Sequence, residues 1–233
     1  LTPGFSGADI SNICNEAGIL AVRNKRDIIN ENDIKNAIDY VMLGNIKSCI
    51  LNEKEKNIVA YHEAGHAFLS YYLDHTSNPI KVSIIPRDKG MLGFSQSELP
   101  ESELLITKQQ IEDQISVLMG GRICEKIFCE DITNGAHNDI VRATELARDY
   151  VEKYSMFDSF LNTEDLYFKS RGVNKLGNNM LNNNDQKVEE LLNNIYLKTY
   201  KLIEENTIEI INLRNILIEK ETIYSEDIQN VLA

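Results

Sequence analysis

The stretch Ala60-Tyr-His-Glu-Ala-Gly-His-Ala67 lies inside a run, residues 53–73, whose apolar members Tyr61, Ala64, Ala67, Phe68 and Tyr72 recur at helical spacing. On a helix, residues four apart share a face with Cβ atoms about 5–6 Å apart. His62 and His66 therefore reach one ion together, and neutral imidazole with a tetrahedral site suits zinc. Glu63 sits beside the pair, placed to accept a proton from a water that zinc has acidified. The small Ala64 and Gly65 leave room for metal and substrate. Hydrolysis of an amide is the chemistry these parts add up to. A purely structural zinc scaffold would have no need of Glu63 as a base. A catalytic zinc keeps one position for water and takes a third protein ligand. The nearby positions that metzincins use are Leu69 and Tyr72 here, so that ligand comes from far along the chain.

Outward from this helix, the pattern is mainly α-helical with one small β element. Towards the N-terminus, residues 1–44 read as a small helical unit. Ser6 and Asp9 form a capping signal before Ile10, Ile13, Cys14, Ala17, Leu20 and Ala21. Asn30 and Asp33 open a second helix through Ile34, Ala37, Ile38 and Val41, and Gly44 stops it. Two short helices bury little by themselves, so they are expected to pack on something outside this chain. A polar linker, residues 45–52, follows. Beyond the zinc helix, residues 81–85 and 92–95 read as a hairpin around Pro86, Asp88 and Gly90. Thr107 and Gln110 cap a helix carrying Ile111, Ile115, Leu118 and Met119, with Gly120-Gly121 as its expected end. Thr133, Asn134 and Gly135 precede a helix with Ile140, Ala143, Ala147, Tyr150 and Val151. The Asn-rich residues 172–185 read as a loop. Two helices over 186–219 and a Ser225-capped helix within 222–233 complete the chain.

The composition fits a folded protein with a real core: 233 residues, 42% hydrophobic. The net charge of −12 gives no footing to a nucleic-acid partner. Cys14, Cys49, Cys124 and Cys129 form no CxxC pair and read as reduced thiols. No apolar run approaches the ~20 residues of a membrane span. The chain starts on Leu1 with no initiator Met, the look of an excised piece, so the absence of a membrane or targeting segment in it says nothing of the intact protein.

Taken in order, these motifs resemble the FtsH family of membrane-anchored, ATP-dependent zinc proteases. Thr2-Pro-Gly-Phe-Ser-Gly-Ala-Asp9 resembles the family's entry into the helical lid of its AAA+ motor. Ala60 to Ala67 resembles its zinc helix. Val82-Ser-Ile-Ile-Pro-Arg87 and Leu92-Gly-Phe-Ser-Gln96 resemble its β element. Leu118-Met-Gly-Gly-Arg122, Thr133-Asn-Gly-Ala-His-Asn-Asp139 and Glu221-Thr-Ile-Tyr-Ser follow in the family's order.

The resemblance implies a lid portion over 1–44, a linker over 45–52 and a zinc peptidase domain over 53–233. It implies one Zn2+ per chain with Asp139 as third ligand; Glu125 and His137 are the sequence's alternatives. It implies that Gly93, Phe94, Ser95 and Gln96 pair with substrate backbone, as edge strands do. Unfolded polypeptides are the implied substrates, and a homo- or hetero-hexameric ring the implied assembly. The implied address is a membrane; the Asn-rich insertions favour mitochondrial inner or plastid, with bacterial inner as the alternative. The phosphate loop GxxxxGK[ST] is missing, so ATP is expected to act only in the full-length protein, where Gly7 and Ala8 would line its pocket. Ser155 stands where the family often has Gly.

Overall fold

The computed structural model describes residues 2, 4–44, 51–87, 92–98, 105–129, 131–157 and 178–232, with side chains from 183 onward in the last stretch. Helices α1 (Gly7–Arg23) and α2 (Glu31–Leu43) form the N-terminal hairpin. Each opens on a reciprocal capping box, Ser6 with Asp9 and Asn30 with Asp33. The two helices share a small apolar seam of Ile13, Ala17, Ala37 and Ile38. Arg26 donates to both carboxylate oxygens of Asp33 at 2.7 and 2.6 Å, tying the connection to α2. Gly44 ends α2 at φ 83°, a conformation glycine adopts without strain. Besides any partner outside the chain, α2 contacts the three-stranded sheet described below, through Asp39.

Helix α3 (Glu53–Tyr72) carries the two histidines, and Asn52 caps it. Ala60, Ala64, Ala67, Phe68 and Leu69 are buried along it; Tyr72 is half exposed but stacks on Phe68. The β element is a three-stranded antiparallel sheet in the order β2-β1-β3, from β1 (Pro79–Ser83), β2 (Phe94–Ser97) and β3 (Thr222–Tyr224). The hairpin expected from sequence is therefore present, with β1 starting two residues earlier and β2 two residues later. Its turn residues Asp88 and Gly90 lie outside the described residues. Strand β3 was not expected: three residues carry no periodicity, and only pairing with β1 defines them.

Helix α4 (Lys108–Phe128) crosses α3 and runs straight through Gly120-Gly121, which sequence reading takes as its end. The glycines serve close packing instead. A Cβ on Gly120 would lie 2.6 Å from Leu69, one on Gly121 2.5 Å from the His62 ring, and one on Gly65 2.7 Å from both Cys124 Sγ and the Gly120 carbonyl. Backbone meets backbone along this seam, and no side chain larger than hydrogen fits.

Helix α5 (His137–Arg148) runs into a π-helical turn, Asp149–Lys153. At its end Ser155 adopts φ 51°, a left-handed conformation that costs a non-glycine residue about 1–2 kcal/mol. That is the physical reason glycine suits this position. Helices α6 (Asn178–Glu205), α7 (Thr207–Lys220) and α8 (Ser225–Leu232) close the fold. The Asn-rich segment is thus helical from Asn178 onward; its earlier part lies outside the described residues, as does most of the expected linker. Two apolar cores result. One joins α3, α4, α7 and the sheet through Phe68, Val82, Ile123, Leu213 and Ile223. The other joins α4, α5 and α6 through Ile115, Tyr150, Val188 and Ile195.

Candidate metal centre

His62 and His66 project from one face of α3, and Asp139 comes from the first turn of α5. Their ligand atoms converge. His62 Nε2 and His66 Nε2 are 3.1 Å apart, and Asp139 Oδ2 lies 3.4 and 3.5 Å from them. Ligands on a tetrahedron with the ~2.0–2.1 Å bonds of zinc are about 3.3 Å apart, so this triangle has the size the ion requires. Among the described residues, this is the one cluster of three such groups that could hold a metal.

The outer ring nitrogens are all engaged. His62 Nδ1 lies 2.7 Å from Glu125 Oε1, and His66 Nδ1 lies 2.8 Å from the Val117 carbonyl. Neither the carbonyl nor the ionised carboxylate can donate, so both Nδ1 atoms carry the hydrogen and both Nε2 atoms face inward. This is the second layer of support that metal-binding histidines need. Glu125 is 1% exposed, and its other oxygen accepts from the Thr133 amide at 2.7 Å. Burial works against its charge, but the His62 ring and the Thr133 amide outweigh it and hold its carboxyl below the usual range. Arg122 donates to the Thr133 carbonyl at 3.1 Å, so α4 grips both sides of the peptide segment that leads into Asp139.

The electrostatics favour a cation. Burial opposes charge on the His62 ring, yet the carboxylates of Asp139 and Glu125 push its pKa up to about 10. Burial likewise opposes the Asp139 carboxylate, and both histidines override it, holding it well below its ordinary value. Glu63 differs. It is almost fully buried, and burial raises its carboxyl above the usual range despite the nearby histidines. A base retuned in this direction holds a proton more readily.

Gly93 brings the sheet to this carboxylate: a Cβ on it would lie 2.6 Å from Glu63 Oε1. Strand β2 begins at the next residue and is one edge of the sheet. Gly93 thus lies next to the centre, and the strand residues Phe94, Ser95 and Gln96 run on from it. His137 opens α5 but is exposed, with its neighbour two residues on supplying the inward carboxylate. Glu125 reaches inward to a ring nitrogen, not to the ligand triangle. Its place follows from α4 continuing past the glycines, which residue types alone do not signal. Gly7 and Ala8 lie exposed at the start of α1. His75 is half exposed and pairs with Asp113 at 2.9 Å. Cys14, Cys124 and Cys129 are free thiols, and Cys49 lies outside the described residues.

Residues 1–36 match the AAA+ lid domain. The chain is 38% identical to ATP-dependent zinc metalloprotease FtsH 1 of Sphaerobacter thermophilus over 98% of its own length and 36% of the relative's. It is 36% identical to the FtsH of Thermotoga maritima, covering 100% of this chain and 40% of that protein. It is 35% identical to the mitochondrial FTSH 3 of Arabidopsis thaliana, covering 100% of this chain and 29% of that one. The chain thus spans less than half the length of these curated relatives. Residues 49–231, which contain the whole metal centre, match Peptidase family M41, and the chain belongs to that family.

Proposed function

We propose that this chain is the zinc-dependent endopeptidase module of a larger ATP-driven protease. The observation that supports this most directly is the convergence of His62 Nε2, His66 Nε2 and Asp139 Oδ2 beside the buried carboxylate of Glu63. His62, His66 and Asp139 would hold the ion, leaving one position open. Zinc bound there supplies a Lewis acid that polarises an amide carbonyl and acidifies water. Glu63 takes the proton that the attacking water loses, then returns it to the leaving nitrogen as the C–N bond breaks. Glu125 and the Val117 carbonyl keep the two rings in the tautomer that faces the ion.

Substrate enters as an extended strand beside β2, with Gly93, Phe94, Ser95 and Gln96 as its platform. Main-chain pairing at a sheet edge binds many sequences, as a degrader of unfolded polypeptides needs. Residues 1–44 act as the lid of a AAA+ motor, 45–52 as a linker and 53–233 as the peptidase domain. Gly7 and Ala8 lie at the nucleotide pocket once the motor is present. The full protein forms a hexameric ring on a membrane, mitochondrial or plastid before bacterial; relatives with both mitochondrial and bacterial names are similar to this chain. No helix among the described residues is long and apolar enough to cross a membrane.

The test is Glu63→Gln on a fluorogenic unfolded peptide, with zinc measured alongside. The variant is expected to keep its zinc and lose about 10²–10⁴-fold in turnover, the usual worth of a general base. Wild-type rates in the variant, or no hydrolysis by a zinc-loaded wild type, would overturn the reading.

A further inference from the structure

The register of the sheet puts Lys81 opposite Gln96 on one side and Tyr224 on the other. Alternation along the strands then assigns Lys81, Ser83, Phe94, Gln96, Thr222 and Tyr224 to one face. The opposite face, with Val82 and Ile223, is in the core. Against the first face lies helix α2 of the lid. Asp39 of α2 accepts from Lys81 Nζ at 2.7 Å on both carboxylate oxygens. It also accepts from Arg87 Nη2 at 3.1 Å. Arg87 Nη1 reaches the Gly44 carbonyl at 3.4 Å, at the end of the same helix. Lys35, one turn before Asp39, stands 5.7 Å from the Tyr224 ring.

This contact is not a surface pair. The side chains of Lys81 and Arg87 are each 7% exposed and that of Asp39 14%. Among the described residues Arg87 Nε is buried with no hydrogen-bond partner, and Asp39 is the carboxylate that compensates both buried cations. The Lys81 ammonium also stands 5.7 Å from the Phe94 ring and 5.5 Å from that of Tyr224. A contiguous series of contacts follows: Asp39, Lys81, Phe94, then Gly93 against Glu63.

We propose that Lys81 is a positioning residue through which the lid sets the edge strand β2, so that movement of α2 changes how the peptidase holds its substrate. The proposal rests on the reading of β2 as the substrate platform. With Asp39 in place, the ammonium is fixed under Phe94 and the strand is held in register beside Glu63. When α2 moves away, Lys81 and Arg87 are left as unpaired buried cations. They turn outward to water, and β2 loses its support on that face. The lid thereby controls binding more than chemistry, because the zinc ligands sit on α3 and α5.

The experiment compares Asp39→Asn, Lys81→Met and Lys81→Arg with wild type in the zinc-loaded chain. Hydrogen exchange is read at the amides of Phe94–Ser97, with the amides of α3 as the control for intact folding. Lys81→Met keeps the apolar stem and so separates charge from packing. Exchange across β2 is expected to quicken about tenfold in Asp39→Asn and Lys81→Met, within the usual range of coupling between sites, while α3 stays protected. Lys81→Arg restores it. Peptide hydrolysis in the same variants is expected to show KM raised by a similar factor with kcat held within about twofold. Unchanged β2 exchange in both charge-removing variants would overturn the proposal, as would a loss confined to kcat. An inactive zinc-loaded wild type would overturn the peptidase reading instead, and the exchange measurement would still decide the coupling.

Discussion

At the scale of single residues, the centre separates two carboxylates that the sequence alone offers as rival ligands. Asp139 Oδ2 closes the triangle with both Nε2 atoms, whereas Glu125 binds the far side of the His62 ring. Their substitutions are therefore expected to differ in kind. Asp139→Asn removes a charged ligand and should abolish tight zinc binding. Glu125→Gln leaves three ligands in place and should weaken zinc about 10–100-fold, the usual effect of losing an orienting partner. His137→Ala should leave zinc affinity at the wild-type level. Titration with a chromophoric chelator ranks the three. Glu125→Gln releasing the metal while Asp139→Asn retains it would reverse the assignment. The histidine pair was legible from spacing because a helix fixes both rings on one face. Asp139 was not legible that way. It meets α3 only because α4 and the segment around Thr133 return the chain to the same point, and the family resemblance had to supply it.

Among elements, the close crossing of α3 and α4 governs the centre. Gly121 sits where any side chain would press on the His62 ring, which Glu125 already holds from the other side. Gly121→Ala gains helix propensity of about 1 kcal/mol. Overpacking costs about 1–3 kcal/mol in return, and the displaced ring should lower zinc affinity as well. Gly18→Ala is the contrast: it is mid-helix in α1 with nothing within 4 Å of the new methyl, so the propensity gain should appear unopposed as a higher Tm. Thermal melts with and without zinc separate the two cases. The same crossing explains the main error of the sequence reading. A Gly-Gly pair has the local look of a helix end, and nothing in adjacent residues distinguishes a stop from a contact with a distant backbone. Capping boxes fared better: Ser6–Asp9, Asn30–Asp33 and Thr107–Gln110 all close as read, because their partners lie three residues apart. Strand β3 and the Asp39–Lys81 contact depend on residues far along the chain, and pattern reading has no access to them.

Over the whole molecule, the ion would add a direct tie between parts that otherwise meet through α4. Its ligands come from α3 in one apolar core and α5 in the other. Zinc should therefore stabilise the fold as a bridge between cores. At a hundred times its dissociation constant, a ligand specific to the native state contributes about 2.7 kcal/mol. For a chain of this size that corresponds to a Tm shift of about 5–10 °C. Stripping the metal with a chelator is expected to lower Tm by this amount, and adding zinc back to restore it. Calorimetry in which the two samples melt together would contradict a bridging role.

The edge position of β2 has a wider consequence. A strand that engages others through its backbone is nearly blind to their side chains, so an active site built on it cannot choose its victims by reading them. Such a protease is safe only if choice is made earlier, by what is admitted to it. If β2 is the substrate platform proposed above, discrimination becomes a matter of custody and timing, and the contact between α2 and the sheet would stand where admission and cutting meet.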